Sequence, residues 1–382
     1  MVIKVNSKER VTAALCLEEP DKVPNCEFLL TDPNIRSIVL KRDSTGHFMT
    51  LFKGADDAYT RHLKSLEEQV FLMKELKMDM VSFSDAGCVP KGFRYKVLPD
   101  YRDKKVVQDF MGRIYVQGSD GQRWYKDGII KQPEDFEDFE FMDLDAPGKF
   151  DVIEKAVEMV GDEMFILGTV HWGFGYAWEI VGGLEKLLLL FHTNPVFVKK
   201  LLYSFNDYMV EVAKKMIDLG VDGILTRDDL AGERGSFISP KIFDEFLLPI
   251  IKNLAKAVKS RGAFLLMHSD GDMYEIINNL LNSGVELDCF NPIEPELMSL
   301  KTCKERYGDR MALWGNVSCA STLVRGTVED TRKEVIKCIE DAAPGGGYIL
   351  SSSNSIYPGC KYENVITMIE TKEKYGRYPI II

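Results

Sequence analysis

Short apolar runs alternate along the chain with longer segments in which apolar residues recur every three or four positions. The run at residues 263–267 is entirely apolar and ends abruptly in His268-Ser269-Asp270-Gly271-Asp272. A short apolar run bounded by polar residues predicts a buried parallel strand, and the longer spacing predicts amphipathic helices. Runs of this kind predict eight strands, at residues 25–30, 78–85, 164–170, 221–226, 263–268, 286–291, 311–316 and 347–351.

Helical segments lie between these strands and indicate the fold class. Ser7 can cap an opening helix at residues 7–17. Eight alternating strand and helix units are the pattern of the (β/α)8 TIM barrel, an α/β fold. We therefore expect a single TIM-barrel domain over residues 1–382, with an N-terminal helical segment at about residues 1–22. Later helices are predicted at residues 65–76, 195–219, 240–259, 273–283 and 328–342.

The pattern changes between about residues 95 and 132, where polar and apolar residues alternate. Turn residues stand at Met111-Gly112-Arg113 and at Ser119-Asp120-Gly121. Alternation with a period of two, interrupted by glycine-containing turns, is typical of antiparallel hairpins. We expect an antiparallel β-hairpin insertion in the barrel at this point.

Charge and composition exclude several classes of partner. The net charge of −11 argues against nucleic acid, whose phosphates need a basic surface, and disfavours an anionic membrane surface. No apolar run reaches the roughly 18 residues of a transmembrane helix, and the first ten residues show no apolar signal core. The eight cysteines form no C-x-x-C pair, so neither a disulfide framework nor a thiolate zinc knuckle is indicated. We expect a cytoplasmic protein, and a homodimer is compatible with the sequence.

Polar residues stand at the end of nearly every predicted strand. In a barrel these ends meet on one face, which is where barrel enzymes carry out their chemistry. His268 and Asp270 lie two residues apart, so in extended backbone both can face one cavity. A histidine in this position can equally be a hydrogen-bonded structural residue. The strand-end residues are Glu27, Asp85, His171, Trp172, Asp228, Asp229, His268, Asp270, Asn291, Asn316 and Asn354.

Several of these residues allow two interpretations. Trp172, Phe174 and Tyr176 either close the core or offer a flat surface to a planar ligand. Asn291 and Asn316 can tie loops together, because buried polar groups need partners. The neighbouring carboxylates at 228 and 229 repel each other, so either one titrates upward or a cation binds both.

A set of motifs is spread over nearly the whole chain. They are Lys8-Glu9-Arg10-Val11, Glu19-Pro20-Asp21-Lys22-Val23-Pro24, Phe83-Ser84-Asp85, Asp228-Asp229-Leu230-Ala231-Gly232, His268-Ser269-Asp270-Gly271-Asp272, Trp314-Gly315-Asn316, Gly345-Gly346-Gly347-Tyr348-Ile349-Leu350, Pro358-Gly359 and Glu363-Asn364. Together these motifs resemble the uroporphyrinogen decarboxylase superfamily. Within it the chain is similar to the branch of corrinoid-dependent methyltransferases, which includes the coenzyme M methyltransferases and the O-demethylase methyltransferases of acetogenic bacteria. The resemblance implies a TIM barrel.

Departures from the family patterns indicate the branch. Tetrapyrrole decarboxylases carry an arginine-bearing segment after the first strand, but residues 25–32 here are acidic and would repel a substrate with many carboxylates. Asp85 does match the position of the decarboxylases' catalytic aspartate. One retained residue cannot by itself provide that activity.

The coenzyme M methyltransferases bind zinc through His-x-Cys and a late cysteine. By resemblance, His268 matches the first ligand, Asp270 replaces the first cysteine and Asn354 replaces the second. A zinc ion on His268 and Asp270, completed by Glu27 or Asp229, remains compatible with these residues. An oxygen-rich ligand set suits a Lewis acid that acts on a leaving group better than it suits thiol activation.

The resulting hypothesis is transfer of a methyl group from a methoxylated aromatic, or a methylated amine, to a corrinoid cobalt. The metal site polarises the leaving heteroatom, or Asp229 or Asp85 protonates it. No Asp-x-His-x-x-Gly module is present, so the cobalamin must be carried by a partner corrinoid protein. The residues expected to bind substrate are Glu27, His171, Trp172, Phe174, Asn316, Asn354 and Tyr357.

Three alternatives remain. The first is a decarboxylase that acts on a smaller acid through Asp85. The second is a thiol methyltransferase in which Cys360 or Cys289 supplies a zinc ligand. The third is a non-catalytic barrel that binds a corrinoid or a tetrapyrrole.

Overall fold

The computed structural model describes residues 5–44, 57–118 and 123–381. The first four residues of the predicted N-terminal segment and the turn predicted at Ser119-Asp120-Gly121 lie outside the described residues. The strands in the described part of the chain are β1 (Met80–Ser84), β2 (Lys96–Tyr101), β3 (Lys104–Gln108), β4 (Arg113–Gln117), β5 (Arg123–Gly128), β6 (Phe165–Val170), β7 (Gly223–Arg227), β8 (Ala231–Gly232), β9 (Gly235–Ser236), β10 (Phe264–His268), β11 (Cys289–Asn291), β12 (Ala312–Val317) and β13 (Tyr348–Ser352).

Seven of these strands form a parallel sheet in the order β1-β6-β7-β10-β11-β12-β13. Every residue of β1, β6, β12 and β13 is buried, because helices cover the outer face of the sheet. This explains why these strands are almost continuous apolar runs in the sequence. Their carboxyl ends lie at one edge of the sheet, which we call the mouth. The expected α/β fold is confirmed.

The predicted first strand, at residues 25–30, is not a regular strand. Asn25 makes one parallel bridge to Leu350 in β13, and its carbonyl accepts a hydrogen bond of 2.7 Å from the backbone N–H of Asp79, just before β1. The segment thus bonds to both edge strands of the sheet. A longer ladder does not form because Pro24 has no N–H and because the Asn25 N–H bonds to the Asp79 side chain instead of a carbonyl.

The helices surround the sheet, and each predicted helical segment overlaps at least one of them. A π-helical turn at Phe243–Leu247 interrupts the helix expected at residues 240–259, because Pro249 cannot donate the next helical hydrogen bond. The helices are α1 (Ser7–Leu15), α2 (Pro33–Leu40), α3 (Ala58–Glu75), α4 (Asp151–Val160), α5 (Phe174–Val181), α6 (Leu184–Thr193), α7 (Pro195–Asp218), α8 (Pro240–Ile242), α9 (Leu248–Lys259), α10 (Tyr274–Asn282), α11 (Leu300–Tyr307), α12 (Thr322–Arg325), α13 (Val328–Ala342) and α14 (Tyr362–Tyr375).

Helix α1 lies at the amino ends of the strands, opposite the mouth. Its cap is Asn6 and not Ser7 as predicted: the Asn6 side chain accepts from the Glu9 N–H, and Glu9 accepts from the Asn6 N–H. The Ser7 hydroxyl donates instead to Asp79. Apolar residues of α1 pack into the interior of the sheet, so the other end is left for ligands. This interior cluster includes Val11, Ala14, Leu15, Met80, Phe165, Leu167, Leu225, Leu266, Cys289, Ala312, Trp314 and Ile349.

The insertion is a four-stranded antiparallel sheet in the order β2-β3-β4-β5. The predicted turn around Gly112 connects β3 to β4, and Gly112 has a φ of +79°. The sequence did not predict the turn between β2 and β3, where Arg102 and Asp103 have φ of 48° and 60°. The Tyr125 hydroxyl donates to the Glu179 carbonyl, so this sheet packs on α5, which follows β6 at the mouth.

None of the helices among the described residues is both long and apolar enough to cross a bilayer.

Candidate active site at the carboxyl ends of the strands

His268 is the last residue of β10 and is held in one orientation. Asn291, its register partner in β11, donates through Nδ2 to the Trp314 carbonyl at 2.9 Å. The Asn291 Oδ1 therefore accepts from His268 Nδ1, at 2.6 Å. In the neutral ring this leaves the lone pair on Nε2, which is the atom that binds metals. The Phe28 ring stacks on the imidazole with a centroid distance of 4.0 Å.

Asp270 faces this lone pair with an oxygen that has no partner. Its Oδ1 lies 3.6 Å from His268 Nε2 and is buried without a hydrogen bond to any described residue. Its Oδ2 accepts from Asn354 Nδ2 at 2.8 Å. The sequence predicted that His268, Asp270 and Asn354 belong to one site, and the structure brings them together.

Asp229 completes a cluster of three side chains whose ligand atoms could hold a metal ion. It accepts a hydrogen bond of 3.1 Å from the Asp270 N–H, and one ligand atom from each of Asp229, His268 and Asp270 lies within 4.8 Å of the others. Gly271 allows this approach, since a Cβ there would lie 2.6 Å from the backbone of Ala231.

The electrostatics of this cluster favour a bound cation. Burial and the charge of Asp229 raise the pKa of Asp270, although His268 and Asn354 oppose the shift. Burial also raises the pKa of Glu294, which accepts from the Gly271 N–H at 2.7 Å; sequence reasoning missed this residue. One nitrogen and two carboxylates, one of them with an unpaired buried oxygen, are a donor set that fits a divalent metal ion.

Glu27, one of the two residues expected to complete the ligand set, is not part of this cluster. Its carboxylate accepts hydrogen bonds from the N–H and the hydroxyl of Ser352, the last residue of β13. Burial raises the pKa of Glu27 to about 8, against the hydrogen bonds from Ser352. At neutral pH this carboxyl therefore holds a proton and is poorly suited to bind a cation.

Asp85 lies on the other side of the mouth, and both of its carboxylate oxygens accept hydrogen bonds. It follows β1 and accepts hydrogen bonds from the Tyr176 hydroxyl, from Ser84 Oγ at 3.0 Å and from Arg227 Nη2 at 3.3 Å. Burial favours its neutral form, but the nearby charges of Arg227, His171 and other groups prevail and lower the pKa of Asp85. An ionised carboxylate has no proton to donate, so the suggested role of Asp85 as an acid does not fit this arrangement.

Asp228 and Asp229 do not share a cation as one hypothesis proposed. Asp228 is completely buried and accepts from the N–H groups of Trp172 and Gly175 and from His171 Nδ1. It therefore holds the loop after β6. Asp229 points to Asp270 instead, because adjacent residues of extended chain face opposite ways.

The remaining predicted substrate-binding residues have mainly structural contacts. Trp172 and Phe174 are each 1% exposed and belong to the main hydrophobic core, which agrees with the core-closing alternative. Asn316 Nδ2 donates to the Ile293 carbonyl at 2.9 Å and ties a loop. Tyr357 is 38% exposed, and its hydroxyl donates to the Cys319 carbonyl.

The two cysteines considered as ligands are not in the cluster of Asp229, His268 and Asp270. Cys289 lies in the interior cluster below the mouth, and burial raises the pKa of its thiol. Cys360 follows β13, and its N–H donates to the Tyr357 carbonyl at 3.1 Å.

Arg227, the last residue of β7, was missed by sequence reasoning. It is the register partner of His268, and its Nη2 donates to Ser84 Oγ at 2.7 Å. The available signal was its position immediately after the strand predicted at residues 221–226 and before two aspartates.

Comparison with solved structures supports the architecture. A methyltransferase from Methanosarcina mazei superposes with a TM-score of 0.68 and 21% sequence identity, covering 97% of this chain and 99% of that one. At this identity the similarity shows a shared fold.

Comparison with known sequences gives the family. The methylcobamide:CoM methyltransferase MtaA of Methanosarcina barkeri is 23% identical over 229 residues, or 60% of this chain and 64% of that protein, so the match spans less than two thirds of this relative. The uroporphyrinogen decarboxylase of Danio rerio is 24% identical over 295 residues, or 72% of this chain and 76% of that protein. The family model for uroporphyrinogen decarboxylase (URO-D) matches residues 108–375, well over half of the chain. The chain therefore belongs to the uroporphyrinogen decarboxylase family.

Proposed function

We propose that this chain is a methyltransferase that moves a methyl group from a methoxylated aromatic compound, or a methylated amine, to the cobalt of a corrinoid carried by a separate protein. The observation that carries the proposal is the unpaired Oδ1 of Asp270 facing His268 Nε2. We further propose that residues 1–382 form one closed barrel domain, in which residues 25–30 take the place of the eighth strand.

The chemistry requires an electrophile beside the leaving atom. Phenolate and amine leaving groups are poor unless they are protonated or bound to a metal. A divalent ion, zinc in our proposal, would be held by His268, Asp270 and Asp229 and would act as a Lewis acid on the ether oxygen or the amine nitrogen.

Other residues of the chain would prepare this site. Asn291 keeps the proton of His268 on Nδ1 and so presents Nε2 to the mouth. Asn354 fixes Oδ2 of Asp270, and the Phe28 ring shields one face of the imidazole from water. Glu27 holds a proton at neutral pH, so it adds no negative charge beside this site.

The similarity to MtaA favours a second candidate, which is methyl transfer from a methylcorrinoid to a thiol. Thiolate ligands would keep a metal-bound thiolate nucleophilic, whereas the cluster found here has one nitrogen and two carboxylates. This donor set is the reason for preferring demethylation of a substrate.

A substrate panel tests the proposal. The purified protein would be mixed with a reduced corrinoid protein and with methoxybenzenes, methylamines or betaines, and methylation of cobalt would be followed by its absorbance. We expect one class to methylate the cobalt. Methylation of a thiol from methylcobalamin, with no methylation of cobalt by any compound of the panel, would favour the second candidate. Release of carbon dioxide from a porphyrinogen would refute both.

A further inference from the structure

Arg227 lies in the same interior layer of the mouth as His268. Leu225 and Leu266 both belong to the interior cluster, and side chains alternate between the two faces of a strand. Arg227 and His268, two residues further along β7 and β10, therefore also face the interior. They are register partners in adjacent parallel strands.

The guanidinium group of Arg227 has donors that the protein does not use. Nη2 donates to Ser84 Oγ and to Asp85 Oδ1. The side chain is only 13% exposed, and its Nε is buried without a hydrogen-bond partner among the described residues. A buried donor without a partner is costly, and a ligand that accepts from it would remove that cost.

Asp85 does not neutralise this group completely. Its two oxygens also accept from the Tyr176 hydroxyl and from Ser84, and the Arg113 guanidinium lies over the Tyr176 ring with a distance of 4.6 Å to its centroid. The contact of Asp85 with Arg227 is a single hydrogen bond of 3.3 Å to Nη2. Arg227 therefore lacks the pair of parallel hydrogen bonds by which a carboxylate often binds a guanidinium group.

The two sides of the mouth attract opposite charges. On one side lie the carboxylates of Asp229 and Asp270, which would repel an anion. The whole chain has a net charge of −11, so its long-range field does not attract anions and a local cation is needed to bind one.

We propose that Arg227 binds an anionic group of the substrate, a carboxylate or a sulfonate, and thereby orients the reacting end toward His268. The assignment rests on the proposed function for the identity of the reacting end, but not for anion binding itself. It selects acidic substrates, such as methoxybenzoates, over their neutral analogues.

The kinetic test compares a methoxybenzoate with the methoxybenzene that lacks the carboxylate. For Arg227→Gln we expect KM for the acid to rise about 30-fold, which is typical for loss of a charge-assisted hydrogen bond, while kcat changes little. KM for the neutral compound should stay within about twofold, which also shows that the variant is folded. Arg227→Lys should recover part of the loss, and Arg332→Gln, a surface cation on α13, should have no effect. Equal losses for both compounds in Arg227→Gln would overturn the proposal.

A binding test separates this proposal from the proposed function. Calorimetry with benzoate and with methanesulfonate needs no methyl transfer. We expect at least one of the two to bind the wild-type protein and to bind Arg227→Gln at least about tenfold more weakly, and the stronger ligand identifies the anion class. Anion binding that depends on Arg227 without any methyl transfer would refute the proposed function and leave the anion site standing. Methyl transfer without anion binding, or with equally strong anion binding in the wild type and Arg227→Gln, would refute the anion site and leave the proposed function standing.

Discussion

On the two sides of the mouth, the pKa of a buried carboxyl group is shifted in opposite directions. Asp85 accepts hydrogen bonds from a tyrosine, a serine and an arginine, and its pKa is lowered. Asp270 has one hydrogen-bonded oxygen and one without a partner, and its pKa is raised. Burial acts in the same direction on both, so the nearby charges decide the difference.

This contrast distinguishes a carboxylate that has a cationic partner from a carboxylate that lies beside a second carboxylate. Asp85 has a cationic partner, Arg227, although this contact leaves the Nε of Arg227 without a hydrogen bond. The Asp270 side places a second carboxylate, Asp229, beside the first and leaves one oxygen unpaired. A stable protein keeps such an arrangement when a ligand compensates it.

The largest effect is expected from removing the imidazole. His268→Ala should lose methyl transfer. Removing a residue that only supports a ligand typically lowers metal affinity about 10- to 100-fold, and removing the ligand itself should lower it further. Metal content after dialysis and the rate of cobalt methylation measure these losses. His192→Ala, an exposed histidine on α6, is the matched control. Full activity in His268→Ala would remove the proposed centre.

The next effect concerns the ion pair of Asp85 and Arg227. Asp85→Asn should lower the free energy of unfolding by about 3 kcal/mol, because it leaves the buried guanidinium of Arg227 without its counter-charge. Asp270→Asn should instead stabilise the metal-free protein by about 1 kcal/mol, since it removes a buried charge and its repulsion from Asp229. Urea unfolding of both variants measures the difference. Changes of the same sign would contradict the contrast between the two sides.

Glu27 sharpens the comparison, because it is a buried carboxyl whose pKa is raised to about 8 from 4.5. The folded state holds this proton more tightly than the unfolded state, so stability should fall as pH rises from 4.5 to about 8 and then level off. Glu27→Gln cannot titrate and should lack this decline, which approaches about 1.4 kcal/mol per pH unit within the window. Unfolding curves at several pH values test this. Parallel profiles for the variant and the wild type would show that Glu27 is ionised in the folded protein.

The smallest effect is expected from the residue that orients the imidazole. Asn291→Ala should weaken metal binding about tenfold, because His268 loses the acceptor that fixes its proton on Nδ1. Metal titration with a competing chelator measures the change. Asn316→Ala, which removes an asparagine at the next strand end, should leave the affinity unaltered. If both variants bind metal alike, the orientation of His268 does not depend on Asn291.

Local sequence pattern was sufficient for seven of the eight predicted strands and for part of the site. The run at residues 263–268 became β10 at Phe264–His268, because apolar runs of this length are buried as strands wherever they lie in the fold. His268 and Asp270 lie together for the same local reason, since two residues of extended chain share a face. Residues 25–30 failed as a strand because the side chain of Asp79, 54 residues away, took the Asn25 N–H.

The sequence by itself determined the seven segments that form the parallel sheet, the helices predicted between them, and the collection of polar residues at the strand ends. Tertiary structure decided which of these residues meet: Asp229 and not Glu27 beside His268, Asp228 under the loop after β6, and Arg227 across β6 to Asp85. The physical reason is that these contacts join residues far apart in the chain. Their distances and charges depend on strand register and burial, which no local pattern encodes.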